Sequence, residues 1–336
     1  MTALPRIRVH PEDFCVEEIP AYLPAGTGQH LFVRIEKRMR TTDEVASALA
    51  RMADLSVSQV GYAGRKDRNA LTRQWFSVEG LSPVLAMAID LPGVRVLEAI
   101  PHSNKLRTGH LRGNRFSLVI RNVSDTLAAR AQVRMAEMLN LGMPNRYGAQ
   151  RYGREGRNVQ RGIEILLAQR SARDRRAARF EVSAVQSAVF DRVLQDRPVA
   201  LDRLEEGDVA RVEGSGGLFL VEDVDRESER ASRFEISPTG PIFGTKVMTP
   251  QGEPARREHE AHLALGLPVP GEIRAPRGIR LRGARRPLRV RPGEARLERG
   301  ADQTLRIECT LPAGSYATVL VHELVGPFEE ASGPNS

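Results

Sequence analysis

The sequence predicts an α+β fold: a sheet domain whose two halves flank an inserted helical and β segment. Two observations predict it. Strand-type alternation marks both ends of the chain, with Leu31, Val33 and Ile35 near the start and Leu305, Ile307, Cys309 and Leu311 near the end. Helical spacing dominates the middle: Val159, Ile163, Leu166 and Leu167 share one face, and Val182, Val185, Val189 and Val193 share another. Two halves of one sheet on either side of an insertion account for that order.

Taken along the chain, Ile7 and Val9 alternate with Arg6, Arg8 and His10, and residues 31–36 read as a half-buried strand. The segment between them carries Pro24, Gly26 and Gly28 and reads as a loop. Thr42 is the expected cap of a helix, with Asp43 and Glu44 in its first turn and Val45, Ala48, Leu49, Met52 and Leu55 on one face. Residues 74–78 and 113–121 read as strands. Ser124 or Asp125 caps a helix that turns Leu127, Ala131, Met135, Met138 and Leu139 inward and stops before Gly142 and Pro144. Residues 205–250 are β-rich, with turns expected at Gly214-Ser215-Gly216-Gly217 and at Pro238-Thr239-Gly240-Pro241. A short helix is expected at 256–267, and Gly314-Ser315-Tyr316-Ala317-Thr318 is expected to turn into a second β-branched segment.

Composition narrows the partners. The 336 residues hold 50 Lys and Arg against 42 Asp and Glu, a formal charge of +8. That balance points to an anionic partner such as RNA, DNA or a membrane surface. Most of the cations are Arg, whose planar fork binds phosphate bidentately and stacks on bases. Two cysteines, Cys15 and Cys309, cannot make a disulfide scaffold. His259 and His262 lie three apart, but no third metal ligand accompanies them. Neither an N-terminal signal core nor an apolar run long enough to span a bilayer is present, so a cytoplasmic protein is expected.

Two stretches carry chemistry. In Gly61-Tyr62-Ala63-Gly64-Arg65-Lys66-Asp67-Arg68-Asn69-Ala70-Leu71-Thr72-Arg73-Gln74, one carboxylate sits among four cations. Two glycines before it permit a tight turn or a close approach to another chain. Such an acid serves either a structural salt bridge or chemistry on a bound nucleic acid. In Pro144-Asn145-Arg146-Tyr147-Gly148-Ala149-Gln150-Arg151-Tyr152-Gly153, two Tyr and two Arg alternate with small residues. That pattern can stack on and grip exposed bases, or it can be a surface turn with partly buried rings.

At the Asp67 loop the chain resembles the TruD family of tRNA pseudouridine synthases, which act on position 13 of tRNA. The likeness runs through nearly the whole length. It includes residues 11–18, 26–31, 36–38, 61–74, 109–116, 144–153, 183–190, 237–244 and 311–318. Each segment is short; their number and order carry the signal.

The resemblance implies a pseudouridine-synthase catalytic domain of mixed, mainly antiparallel sheet with flanking helices, residues 1–155 with 285–336, interrupted by a family-specific α/β TRUD insertion at 156–284. It implies that Asp67 is the catalytic acid, that Phe14, Asn145 and Tyr147 line the uridine site, and that Tyr316 is a further substrate-contacting aromatic. The family commonly carries Phe where Tyr147 and Tyr316 stand; both changes keep a ring and add a hydroxyl. The position after Phe190, often Asn in the family, is Asp191, to which no function is attached. A cation beside the acid is expected, with Arg65, Lys66 and Arg151 as candidates. The Arg-rich segments 170–179 and 274–291 are expected to grip phosphates. The implied partner is tRNA, met by a monomer without cofactor, since the isomerisation needs neither redox chemistry nor a group donor. Two rivals are a non-catalytic binder of structured RNA and a metal-dependent nuclease, for which Asp13, Glu17 and Glu18 form the one tight acidic cluster near the start.

Overall fold

The computed structural model describes residues 3–171, 174–274 and 278–331. In chain order its elements are β1 (Arg6–Ile7), β2 (Phe14–Pro20), β3 (His30–Arg38), α1 (Thr42–Met52), β4 (Gly61–Tyr62), β5 (Leu71–Glu79), α2 (Pro83–Met87), β6 (Val94–His102), β7 (Leu111–Ile120) and α3 (Asp125–Leu141). They continue with β8 (Met143–Pro144), α4 (Arg157–Leu166), α5 (Arg175–Gln195), β9 (Val209–Val212), β10 (Leu218–Leu220), α6 (Val224–Ser232), β11 (Ile236–Ile242) and α7 (Gly252–Ala264). The last are β12 (Ala284–Pro287), β13 (Arg289–Val290), β14 (Gly293–Arg299), β15 (Leu305–Pro312), α8 (Ala317–Val325) and β16 (Glu329–Glu330). No helix among the described residues is long and apolar enough to cross a membrane.

Two compact units result. The first comprises Met1–Ala136, Pro292–Ala317 and Val321–Ser336; the second comprises Glu137–Arg291 and Thr318–Leu320. The second unit begins earlier and ends later than the insertion expected from sequence. The reason is local pairing: β8 hydrogen-bonds to β13, and Asn145 N–H donates to Leu288 O at 2.9 Å, so residues 143–145 are tied to residues 287–290.

The first unit is built on one sheet in the order β14-β15-β7-β2-β5-β3-β6, with β4 added to β5. The β2–β5 pair is parallel, with Cys15 opposite Leu71; the other pairs on this path are antiparallel. The parallel pair decides where the candidate site lies. It brings the start of β2, and the chain leading into it, to the sheet end where the Asp67 loop enters β5. Antiparallel β3 delivers its last residues to the same end, with Lys37 opposite Thr72 and Arg38 opposite Leu71. One face of β3 packs on α1: Leu31, Val33 and Ile35 are buried with Val45, Leu49, Phe76 and Val78. Thr41, one residue earlier than expected, caps α1. Its hydroxyl accepts from Glu44 N–H while the Glu44 carboxylate accepts from Thr41 N–H, a reciprocal box. The expected cap, Thr42, is buried and does other work, described below.

The second unit has a four-stranded sheet in the order β10-β9-β11-β12. Its main core gathers Val182, Val185, Val189 and Val193 of α5 with Ile165, Phe243, Ala261 and Leu267. The 214–217 turn joins β9 to β10 as expected. Residues 238–241 do not form a turn; they run inside β11, fully buried. The strand changes partners there, pairing with β9 through Pro238 and with β12 from Thr239 onward, so the missing proline N–H groups interrupt neither ladder. Gly240 is needed for closeness: a Cβ would lie 2.9 Å from Leu288 Cδ2 and from Phe190 Cδ2. The expected β-branched segment after residue 316 is a helix, α8, with Tyr316 at its N-cap.

Candidate active site

In the first unit the site grows from the hairpin β4–β5. Gly61 allows it to close: a Cβ there would meet Leu106 O at 2.2 Å and Ser77 Oγ at 2.4 Å. Thr42 then pins the connecting loop. Its hydroxyl accepts from Lys66 N–H at 2.9 Å and donates to Gln74 Oε1 at 2.9 Å, and Gln74 Nε2 donates to Gly64 O at 3.1 Å. Two side chains, Thr42 from the helix and Gln74 from the strand, thus fix the backbone immediately before Asp67.

Asp67 is half-buried, and its carboxylate accepts from Arg8 Nη2 at 2.6 Å. The Arg8 guanidinium is buried, reaches Glu330 at 3.5 Å and lies over the Phe14 ring at 4.0 Å from its centroid. Phe14 is itself buried and meets Phe116 edge to face at 6.3 Å. The structure therefore joins two predicted residues, Asp67 and Phe14, through one that was not predicted. Arg8 sits 59 residues away in sequence, just past β1 in a stretch whose sequence reads as ordinary alternation, so no local signal marked it.

The cations expected beside Asp67 are spent elsewhere. Arg65 pairs with Asp43 at 3.1 Å. Lys66 pairs with Glu18 at 2.8 Å, both side chains buried. Arg73 pairs with Glu36 at 2.9 Å. The acidic cluster near the start is likewise divided: Asp13 pairs with Arg121 at 2.7 Å, Glu17 with Arg34 at 2.5 Å, and Glu18 with Lys66. Burial raises the Asp13 carboxyl, but hydrogen bonds from Arg121 and from the His10 backbone outweigh it and hold the group below its ordinary value. Among the described residues no group of three or more His, Cys, Asp or Glu converges as a metal cage. Tyr316 is half-buried at the start of α8.

In the second unit Asn145, Tyr147 and Arg151 are held by α5 and β12. Asn145 is buried; its Nδ2 donates to Pro287 O at 2.9 Å and its Oδ1 accepts from Arg286 Nη2 at 2.6 Å. The Arg286 guanidinium lies 4.3 Å from the Tyr147 ring centroid, and Phe190 meets that ring edge-on at 5.7 Å. Arg151 donates to Ser183 Oγ at 2.8 Å and to Ser187 Oγ at 3.1 Å. Asp191 ties the segment down. Its carboxylate accepts from Tyr147 N–H at 3.0 Å and 3.2 Å, and from the Tyr152 hydroxyl. Burial pushes the Asp191 carboxyl up to about 6, against the pull of Tyr152, the Tyr147 backbone, Arg286 and Arg146.

The arginines expected to grip phosphates divide. Arg285 is committed to Thr239 and Glu258, and Arg289 is fully buried, donating to Ser237 Oγ and to the carbonyls of Leu141, Ala231 and Ile236. These hold the fold. Residues 172, 173 and 275–277 of the two Arg-rich segments lie outside the described residues.

Comparison with known proteins gives a consistent answer. The family described as tRNA pseudouridine synthase D (TruD) matches residues 3–174 and 171–324. Proteins named tRNA pseudouridine synthase D from Geobacter metallireducens and Thermus thermophilus are 38% and 44% identical to this chain. The matches cover 94% and 95% of this chain, and 93% and 88% of those proteins. Among solved structures, a Methanosarcina mazei protein described as a tRNA pseudouridine synthase D superposes with a TM-score of 0.74 at 20% identity, covering 97% of this chain and 94% of that one. At that identity it establishes the α+β fold.

Proposed function

The chain belongs to the tRNA pseudouridine synthase D family, and from that premise we propose that it isomerises uridine to pseudouridine in tRNA, at position 13, with Asp67 as the catalytic carboxylate. In this reading it acts in the cytoplasm as a monomer without a small-molecule cofactor, and a family-specific insertion interrupts its catalytic domain. One observation carries it. A single open carboxylate is held by a buried guanidinium, on a loop whose backbone is pinned by Thr42 and Gln74. Electrostatic support of this kind is fixed before substrate arrives.

The reaction breaks the bond from ribose C1′ to uracil N1 and forms one from C1′ to C5. The C5 proton leaves and N1 gains one, so atoms and electrons balance without a co-reactant. Asp67 can add to C6, add to C1′ or take the ribose 2′ proton; each requires an ionised acid close to the sugar. The base must leave its stack, at a cost of a few kcal/mol. We assign Tyr147 as the ring that stacks on it, offsetting ~1–3 kcal/mol. Phe14, Asn145 and Tyr316 complete the proposed uridine contacts, and Arg65, Lys66 and Arg151 support the loops on which the site stands.

The test is pseudouridine mapping and tritium release from tRNA labelled at uridine C5. Asp67→Asn should stop release and leave tRNA binding nearly unchanged. Continued turnover would remove Asp67 from the mechanism. Failure of the native protein to release tritium would favour a non-catalytic RNA binder.

A further inference from the structure

Lys37 stands where an apolar residue belongs. Leu31, Val33 and Ile35 fill the buried face of β3, and Lys37 is next in that alternation, at 0% exposure. Its ammonium donates to Arg40 O at 2.6 Å, Asp67 O at 2.8 Å and Lys66 O at 3.4 Å. An ammonium has three donors and no acceptor, so three carbonyls satisfy it.

A Met or Leu would fill that space at lower cost, because burying an ammonium carries a desolvation penalty that carbonyl dipoles only partly offset. Core packing alone therefore does not account for the residue. What the ammonium supplies is placement. Two of its three acceptors are consecutive loop residues, Lys66 and Asp67, and the third lies at the entrance to α1. Asp67 is consequently held at both ends, its carbonyl by Lys37 and its carboxylate by Arg8.

We propose that Lys37 is a positioning residue for Asp67, a buried cation that sets the backbone of the loop while Arg8 sets the side chain. The inference rests on Asp67 being the catalytic carboxylate. Charge on Lys37 is part of the device, since a neutral amine offers two donors and turns a lone pair toward a carbonyl. The charged groups around it are Asp67 and Lys66 on the loop and Glu44 on α1; burial outweighs the two acids and pushes Lys37 down to about 8. Placement should therefore hold below that pH and loosen as pH rises through it.

Single-turnover conversion and tRNA binding of Lys37→Met and Asp67→Asn test this. Lys37→Met should bind tRNA within about threefold of the native protein and convert it about 100-fold more slowly, the cost of a misplaced reacting group. The native rate should fall as pH passes about 8, and the residual Lys37→Met rate should not share that fall. Conversion by Lys37→Met within about threefold of native, or binding lost in step with turnover, overturns the proposal. Should Lys37→Met not fold, the native profile decides: a rate flat from pH ~7 to ~9.5 overturns it. An active Asp67→Asn would sink the catalytic reading itself. An inactive Asp67→Asn beside an unimpaired Lys37→Met would sink only the role of Lys37.

Discussion

Arg8 Nη2 meets Asp67 Oδ2 at 2.6 Å, and the pair is lopsided: the Arg8 side chain is 5% exposed and the Asp67 side chain 41%. The cation is the buried partner. Its guanidinium is held by Phe14 and Glu330 as well, and its backbone sits at a φ of 60°, a region non-glycine residues seldom adopt. The acid is open to water, and that screening limits what the pair adds to stability. The arrangement instead leaves the acid accessible while fixing its direction.

Arg8→Ala should therefore cost far more activity than stability. We expect tritium release about 100-fold slower, with tRNA binding little changed. Arg8→Lys should recover part of the loss, because an ammonium can meet Asp67 but cannot also lie flat on Phe14. Native turnover by Arg8→Ala would reduce the pair to a structural role.

How much of this was legible in the sequence differs by residue. The β3 strand and the faces of α1 and α5 were plain, because one-sided burial imposes a period on the apolar residues. Asp67 announced itself as an acid among cations. Arg8 did not, since its contact depends on a parallel strand pair that brings distant segments to one sheet end. Lys37 did carry a signal, a charge in register with an apolar stripe, but a strand end also tolerates such a residue in solvent. Residues 238–241 misled because Pro and Gly usually mark turns, whereas here they permit a change of partner and a close contact. After Tyr316, Val319, Leu320, Val321, Leu324 and Val325 are all buried, and a helix covered on most sides reads as continuously apolar as an inner strand.

Asp191 predicts a pH-dependent stability difference. Its folded value, about 6, lies above the ordinary 3.8, so the folded state binds this proton more tightly than the unfolded chain. Stabilisation from that proton is complete below the unfolded value and is lost as pH rises through the folded one. Asp191→Asn does not titrate. Its unfolding free energy relative to the native protein should rise by about 2 kcal/mol between pH ~4 and ~7, read from urea denaturation. A constant difference would mean that the carboxyl titrates alike in the folded and unfolded chain.

Gly240→Ala tests the reading of residues 238–241 as an interior strand. The added methyl would meet Leu288 and Phe190 at 2.9 Å, and both are fully buried. Overpacking of that kind costs about 1–3 kcal/mol. Thermal or urea unfolding should show the loss. An exposed turn would accept alanine with far less effect, so an unchanged midpoint would restore the turn.

Tyr147 separates stacking from hydroxyl chemistry. Its ring is fixed by Arg286 over the face and Phe190 at the edge, while its backbone N–H is held by Asp191. The side chain is thus positioned by contacts that survive loss of the hydroxyl. Tyr147→Phe should keep most of the native single-turnover rate. Tyr147→Ala removes the platform and should lose the equivalent of ~1–3 kcal/mol, roughly 5- to 150-fold. The loss should appear in tRNA conversion more than in tRNA binding, since phosphate contacts supply most of the affinity. Equal losses in the two variants would mean that the hydroxyl matters and that stacking is a minor contribution.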